Sequence, residues 1–155
     1  MKELNFPEFE VRTKTNGKRT LILDCIRKKY VTLTPEEWVR QHLIHYLITE
    51  KSYPATLISV ETPLKYVCMN KRSDVLVYDR NAKPLMLAEC KAQEVALTQK
   101  VVEQIAIYNR TIKAPCLMIT NGLQHFCMTA VSDNSPAIFF DEIPEYGDLL
   151  KMVSA

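Results

Sequence analysis

The 155-residue chain is 47% hydrophobic and 25% charged, which suits one globular domain large enough to need no metal or disulfide staple. No apolar run approaches the roughly 18 residues that cross a bilayer. The net charge of +2 is compatible with nucleic acid without requiring it. The opening MKELNFPEFE carries three glutamates and no apolar segment, unlike a secretory leader. Five cysteines, at 25, 68, 90, 116 and 127, form no C-x-x-C pair, which argues against a zinc ribbon or disulfide scaffold. Cys90 and Cys116 sit in apolar runs and read as small core residues. The expectation is a cytoplasmic protein with no membrane attachment.

In chain order, residues 9–14 alternate, Asn16-Gly17 follows, and residues 20–26 are again strand-like, which predicts a β-hairpin over about 9–26. Thr34 can cap a helix, Pro35 suits its first position, and Glu37 stands three residues after the cap. The apolar spacing of Val39, Leu43, Tyr46 and Leu47 carries that helix to about Thr49. Strands are expected at 57–60, 66–69, 74–78 and 85–90, the last buried on both faces. Residues 98–112 have helical spacing, with Pro115 beyond their end. Strands at 116–120, 124–130 and 137–140 follow, with a short helix in the last ten residues. The strand–helix–strand unit over 85–120 implies a parallel pair. The predicted fold is α/β: a mixed central sheet flanked by helices in one domain over 1–155, with the hairpin at about 9–26 and the core at about 34–140.

The stretch RSDVLVYDRNAKPLMLAECKA, residues 72–92, carries the chemistry. Asp74 starts one strand; Glu89, Cys90 and Lys91 end the next; a tight turn between them makes the strands antiparallel neighbours. Asp74 and Glu89 then meet at one sheet edge, with Glu89 and Lys91 pointing one way and Cys90 the other. Two carboxylates held together repel, and a divalent cation removes that conflict. Mg²⁺, or Mn²⁺ in its place, suits Asp74, Glu89 and the carbonyl of Cys90, with water and phosphate completing the shell. Lys91 would orient or deprotonate the attacking water. A plain salt bridge at a strand end is the competing reading. The basic residues Lys65, Lys71 and Arg72 lie just before Asp74; Arg27, Lys28 and Lys29 form a second cluster. Either could touch phosphates or simply face solvent. His42 and His45 are three apart on the first helix but have no evident third metal ligand.

Asp74-x(14)-Glu89-x-Lys91 on a hairpin resembles the signature of PD-(D/E)XK nucleases. The run DCIRKKYVTLTPEEWVRQ from Asp24 to Gln41 is similar to a bacterial family related to the N-terminal nuclease domain of type I restriction enzyme R subunits. The likeness continues through Lys71-Arg72-Ser73-Asp74, Glu89-Cys90-Lys91, Gln104-x-x-x-Tyr108 and Ala114-Pro115, about residues 20–125 in all. Ser73 stands where the wider family often has Pro.

The resemblance implies a restriction-endonuclease-like core with an added N-terminal hairpin, and Mg²⁺-dependent endonuclease or exonuclease hydrolysis of phosphodiesters, DNA in the first instance. It also implies a helix glutamate that reaches the metal-bound water, Glu37 before Glu36, although Glu37 fits a capping box equally well. Gln104 would bond a phosphate or metal-bound water, and Tyr108 would brace the site or serve as a core aromatic. Arg40, one turn after Glu36 and Glu37, would pair with either or touch a phosphate, and Lys71 and Arg72 would bind substrate. No P-loop pattern occurs in the chain, so a motor or specificity subunit, or a second copy of the chain, would be the partner. The alternative is a catalytically weak or inactive module of the same fold that binds nucleic acid or a partner protein.

Overall fold

The computed structural model describes residues 3–63, 72–130 and 136–154. Among these residues are two sheets and three α-helices. The smaller sheet is antiparallel: β1 (Thr13–Asn16), β2 (Arg19–Asp24) and β3 (Lys29–Thr32), in that order. Its first two strands are the expected hairpin, with Asn16 opposite Arg19 and Gly17 supplying the positive φ of 63° that the tight turn needs. The third strand was not anticipated, because its first residue, Lys29, was read with Arg27 and Lys28 as one basic cluster.

Helix α1 (Pro35–Glu50) starts as its cap signal predicts: the Thr34 hydroxyl accepts the Glu37 N–H at 3.0 Å. The larger sheet runs β4 (Ile58–Pro63), β5 (Arg72–Tyr78), β6 (Pro84–Cys90), β7 (Cys116–Thr120), β8 (His125–Thr129) and β9 (Phe139–Phe140), neighbours in that order. Among the described residues only β6 and β7 pair in parallel, joined by α2 (Gln99–Ile112), as the strand–helix–strand pattern implies. Helix α3 (Tyr146–Ser154) closes the chain. The expected strand at 66–69, with Lys65 and Lys71, lies outside the described residues; for Arg72 only the backbone is described.

Side-chain alternation sorts the central strands onto two cores. Val75, Val77, Met86, Ala88, Cys90, Cys116 and Met118 face α1 and α3, meeting Val39, Leu43, Leu47 and Leu149. Leu76, Leu87, Leu117 and Ile119 face α2 and meet Ile105. Helices therefore cover both faces of a mixed sheet, the restriction-endonuclease-like arrangement expected. Among the described residues, no helix is long and apolar enough to cross a membrane.

Candidate active site

The β5–β6 register brings the acidic pair together. Val75 lies opposite Ala88, so Asp74, one residue earlier, and Glu89, one residue later, occupy adjoining positions. Asp74 Oδ2 accepts the backbone N–H of Cys90 at 2.7 Å, and its Oδ1 accepts from Arg40 Nη2 at 2.8 Å. Lys91 Nζ lies 3.3 Å from Glu89 Oε1. Burial, then the charge of Asp74, push the Glu89 carboxyl up to about 7, with Lys91 opposing them and Glu36 adding a further push. Two carboxylates thus face each other with their repulsion only partly answered.

Lys91 is held from both sides of its loop. Its N–H donates to the Thr120 carbonyl at 2.8 Å, and Asn121 Nδ2 donates to the Val95 carbonyl at 2.9 Å. The Cys90 side chain is buried on the α1 side, opposite Glu89, and burial raises its thiol pKa well above the usual value. The thiol therefore points away from the acidic pair.

A second cluster lies behind Asp74. Glu37 Oε1 accepts from Arg40 Nη1 at 2.8 Å and from Arg27 Nη2 at 2.7 Å; its Oε2 accepts from Gln41 at 3.1 Å. Arg27 Nε also donates to Asp24 at 2.6 Å and its Nη1 to Glu61 at 3.2 Å. Burial works against the charge on Arg40, but Asp74 and Glu37 outweigh it and hold the guanidinium more firmly protonated than usual. Burial likewise raises the Asp24 carboxyl, and the bonds from Arg27 overcome that and hold it below the usual carboxylate range.

These contacts redistribute the roles expected of α1. Glu37, the favoured helix carboxylate, is buried and spends both oxygens on Arg27, Arg40 and Gln41. Glu36 is exposed, and it is the helix glutamate whose charge reaches Glu89. Arg40, considered for a phosphate contact, is 4% exposed and turned inward onto two carboxylates. Gln104 is exposed on α2, and no hydrogen bond among the described residues joins it to Asp74, Glu89 or Lys91. Tyr108 packs, half-buried, against the α2-side core. His42 Nδ1 lies 2.8 Å from the Trp38 carbonyl, and His45 stacks on Phe9 at 3.9 Å, so both imidazoles have structural occupations.

Asp24, Arg27 and Glu61 join the cluster without having been singled out. Arg27 was read with Lys28 and Lys29 as one basic run. The quoted run from Asp24 to Gln41 does hold Asp24, Arg27, Glu37, Arg40 and Gln41 together, which was the available signal. Glu61 gave none.

Among the described residues, no group of three or more His, Cys, Asp or Glu side chains is placed to hold a metal ion. The donor set that fits a hard divalent cation is smaller: Asp74, Glu89 and the Cys90 carbonyl, with the strained Glu89 carboxyl as the sign that positive charge is wanted there. Residues 35–144 match the family described as Type I restriction enzyme R protein N terminus. That span includes Asp74, Glu89 and Lys91 and excludes the three-stranded sheet. No curated protein matches the chain.

Proposed function

Because the chain belongs to the type I restriction enzyme R protein N-terminal family, we propose that it is a metal-dependent nuclease hydrolysing phosphodiester bonds, with DNA as substrate. The observation that carries this reading is the meeting of Asp74, Glu89 and Lys91 at one end of the neighbouring inner strands β5 and β6, where burial and then the charge of Asp74 push the Glu89 carboxyl up to about 7. Asp74, Glu89 and the Cys90 carbonyl would hold Mg²⁺, with Mn²⁺ as substitute. When bound, the ion would polarise the scissile phosphate and lower the pKa of a water molecule.

The remaining chemistry falls to the protein. Lys91, already beside Glu89, orients the attacking water, whose proton passes to bulk solvent, and offsets negative charge gathering on the phosphate. Asp74 is aimed by its bonds to Arg40 and the Cys90 N–H. Glu36, exposed while Glu37 is taken up by Arg27, Arg40 and Gln41, would be the α1 carboxylate that acts on solvent at the site. Gln104, Tyr108, Lys71 and Arg72 are proposed substrate contacts that engage once nucleic acid is bound. A motor or specificity subunit, or a second copy of the chain, would bring the substrate.

The test is cleavage of supercoiled plasmid and of single-stranded DNA with Mg²⁺ or Mn²⁺, beside Glu89→Ala and Lys91→Ala. Wild type should cut, chelation should stop it, and both variants should be inactive. Equal behaviour of wild type and variants ends the enzyme reading. One observation favours a binding module instead: Arg40 already neutralises part of the charge on Asp74. Retention of DNA by a wild type that never cuts would select that alternative.

A further inference from the structure

We infer that the three-stranded sheet belongs functionally to the reaction centre: its Asp24–Arg27 turn acts through Glu37 and Arg40 as a positioning chain that aims Asp74. The inference rests on the nuclease reading for the role of Asp74, but the chain of contacts stands apart from it.

The chain begins where β2 ends. Asp24 Oδ1 accepts the N–H groups of Ile26 and Arg27 at 2.8 and 2.9 Å, and its Oδ2 accepts Arg27 Nε at 2.6 Å. One carboxylate therefore fixes both the backbone of the β2–β3 turn and the plane of the Arg27 guanidinium. The three nitrogens of that guanidinium go to three different acids, Asp24, Glu61 and Glu37. Glu37 Oε1 is shared between Arg27 and Arg40, and Arg40 carries the connection to Asp74 Oδ1. Asp74 Oδ2 ends it on the Cys90 N–H, between Glu89 and Lys91.

Two features show that this geometry is kept at a cost. Arg40 Nε is buried with no partner among the described residues, so the side chain is placed for its bridge and not for its own full bonding. Glu61 takes a φ of 53° in the middle of β4, a left-handed conformation rare outside glycine, and its carboxylate reaches Arg27 at 3.2 Å and Arg40 at 3.6 Å. The links are dry: the side chains of Arg27, Asp24, Glu37, Arg40 and Asp74 are 17%, 0%, 6%, 5% and 15% exposed. Little solvent is at hand to replace a missing link, and each guanidinium is pinned at more than one nitrogen, so a displacement at Arg27 passes on to Asp74.

The experiment compares wild type with Arg27→Met, Arg27→Lys, Arg40→Met and the Met/Met double variant in the full chain. Two readouts are needed: the Cys90 amide resonance in metal-free protein, and kcat and KM for DNA cleavage with Mg²⁺. Arg27→Met should move the Cys90 amide, although Arg27 does not touch it, and lower kcat roughly 10-fold with KM within about 2-fold. Arg27→Lys should recover part of both. The double variant should match Arg40→Met alone, because Arg27 acts through the same link. A Cys90 amide that stays put in Arg27→Met, or kcat effects that multiply, overturns the inference. If Arg27→Met fails to fold, Arg27→Lys carries the same two readouts. If wild type cuts no DNA, the nuclease reading falls while the Cys90 amide still decides the positioning chain.

Discussion

Replacing Glu89 by Gln should stabilise the metal-free protein at mildly alkaline pH while abolishing cleavage. The Glu89 carboxyl is held at about 7 against an ordinary 4.5, first by burial and then by Asp74. At about 1.4 kcal/mol per pKa unit, that difference amounts to ~3 kcal/mol. Its sign follows from proton linkage. The folded protein binds this proton more tightly than the unfolded chain does. The stabilisation is therefore fully present below 4.5 and is lost as pH rises through about 7. Gln keeps the shape of Glu without the charge and escapes that loss. The Glu89 side chain is 19% exposed, so solvent screening removes little of the effect. Urea unfolding in chelator should show variant and wild type nearly equal at about pH 4.5, and the variant ahead by ~3 kcal/mol at about pH 8. For a chain of this size the second gap corresponds to a rise in Tm of about 6–12 °C. Mg²⁺ should narrow it by stabilising the wild type alone. A gap equal at both pH values, or one that favours wild type at the higher pH, would refute the account of Glu89 by burial and repulsion.

The other acid of the pair should respond in the opposite sense. Asp74→Ala takes one carboxylate from Arg40, which is 4% exposed, and removes the acceptor of the Cys90 N–H. Urea unfolding should show a loss of about 3–5 kcal/mol, the usual result of breaking a buried ion pair; a loss within error would mean that Arg40 does not depend on Asp74. Gly122→Ala tests the β7–β8 turn, where φ is 87° and an added Cβ would lie 2.7 Å from Leu4 Cδ2. Leu4 can move but φ cannot become ordinary, so thermal denaturation should register about 1–2 kcal/mol of destabilisation. An unchanged Tm would show that the turn relaxes freely.

Much of this architecture is legible in local pattern. The helix expected over 35–49 is Pro35–Glu50, and that over 98–112 is Gln99–Ile112, because cap residues and apolar spacing act within a few turns. Residues 85–90 form a strand buried on both faces, as their unbroken apolar run implies. The strand expected over 137–140 shrinks to Phe139–Phe140, and β3 was hidden behind the basic Arg27-Lys28-Lys29 cluster although it pairs with β2 across a short turn.

Within the site, the juxtaposition of Asp74 and Glu89 followed from sequence alone, since two strands joined by a short turn leave their far ends side by side. Which α1 glutamate faces Glu89, and which is consumed by arginines, did not. That choice depends on how α1 is rotated and seated on the sheet by Val39, Leu43 and Leu47, which brings Arg40 to Asp74, 34 positions away in the chain. Hydrogen bonds of less than 3 Å between separate elements are set by the packing of whole surfaces, and no local spacing rule encodes that distance.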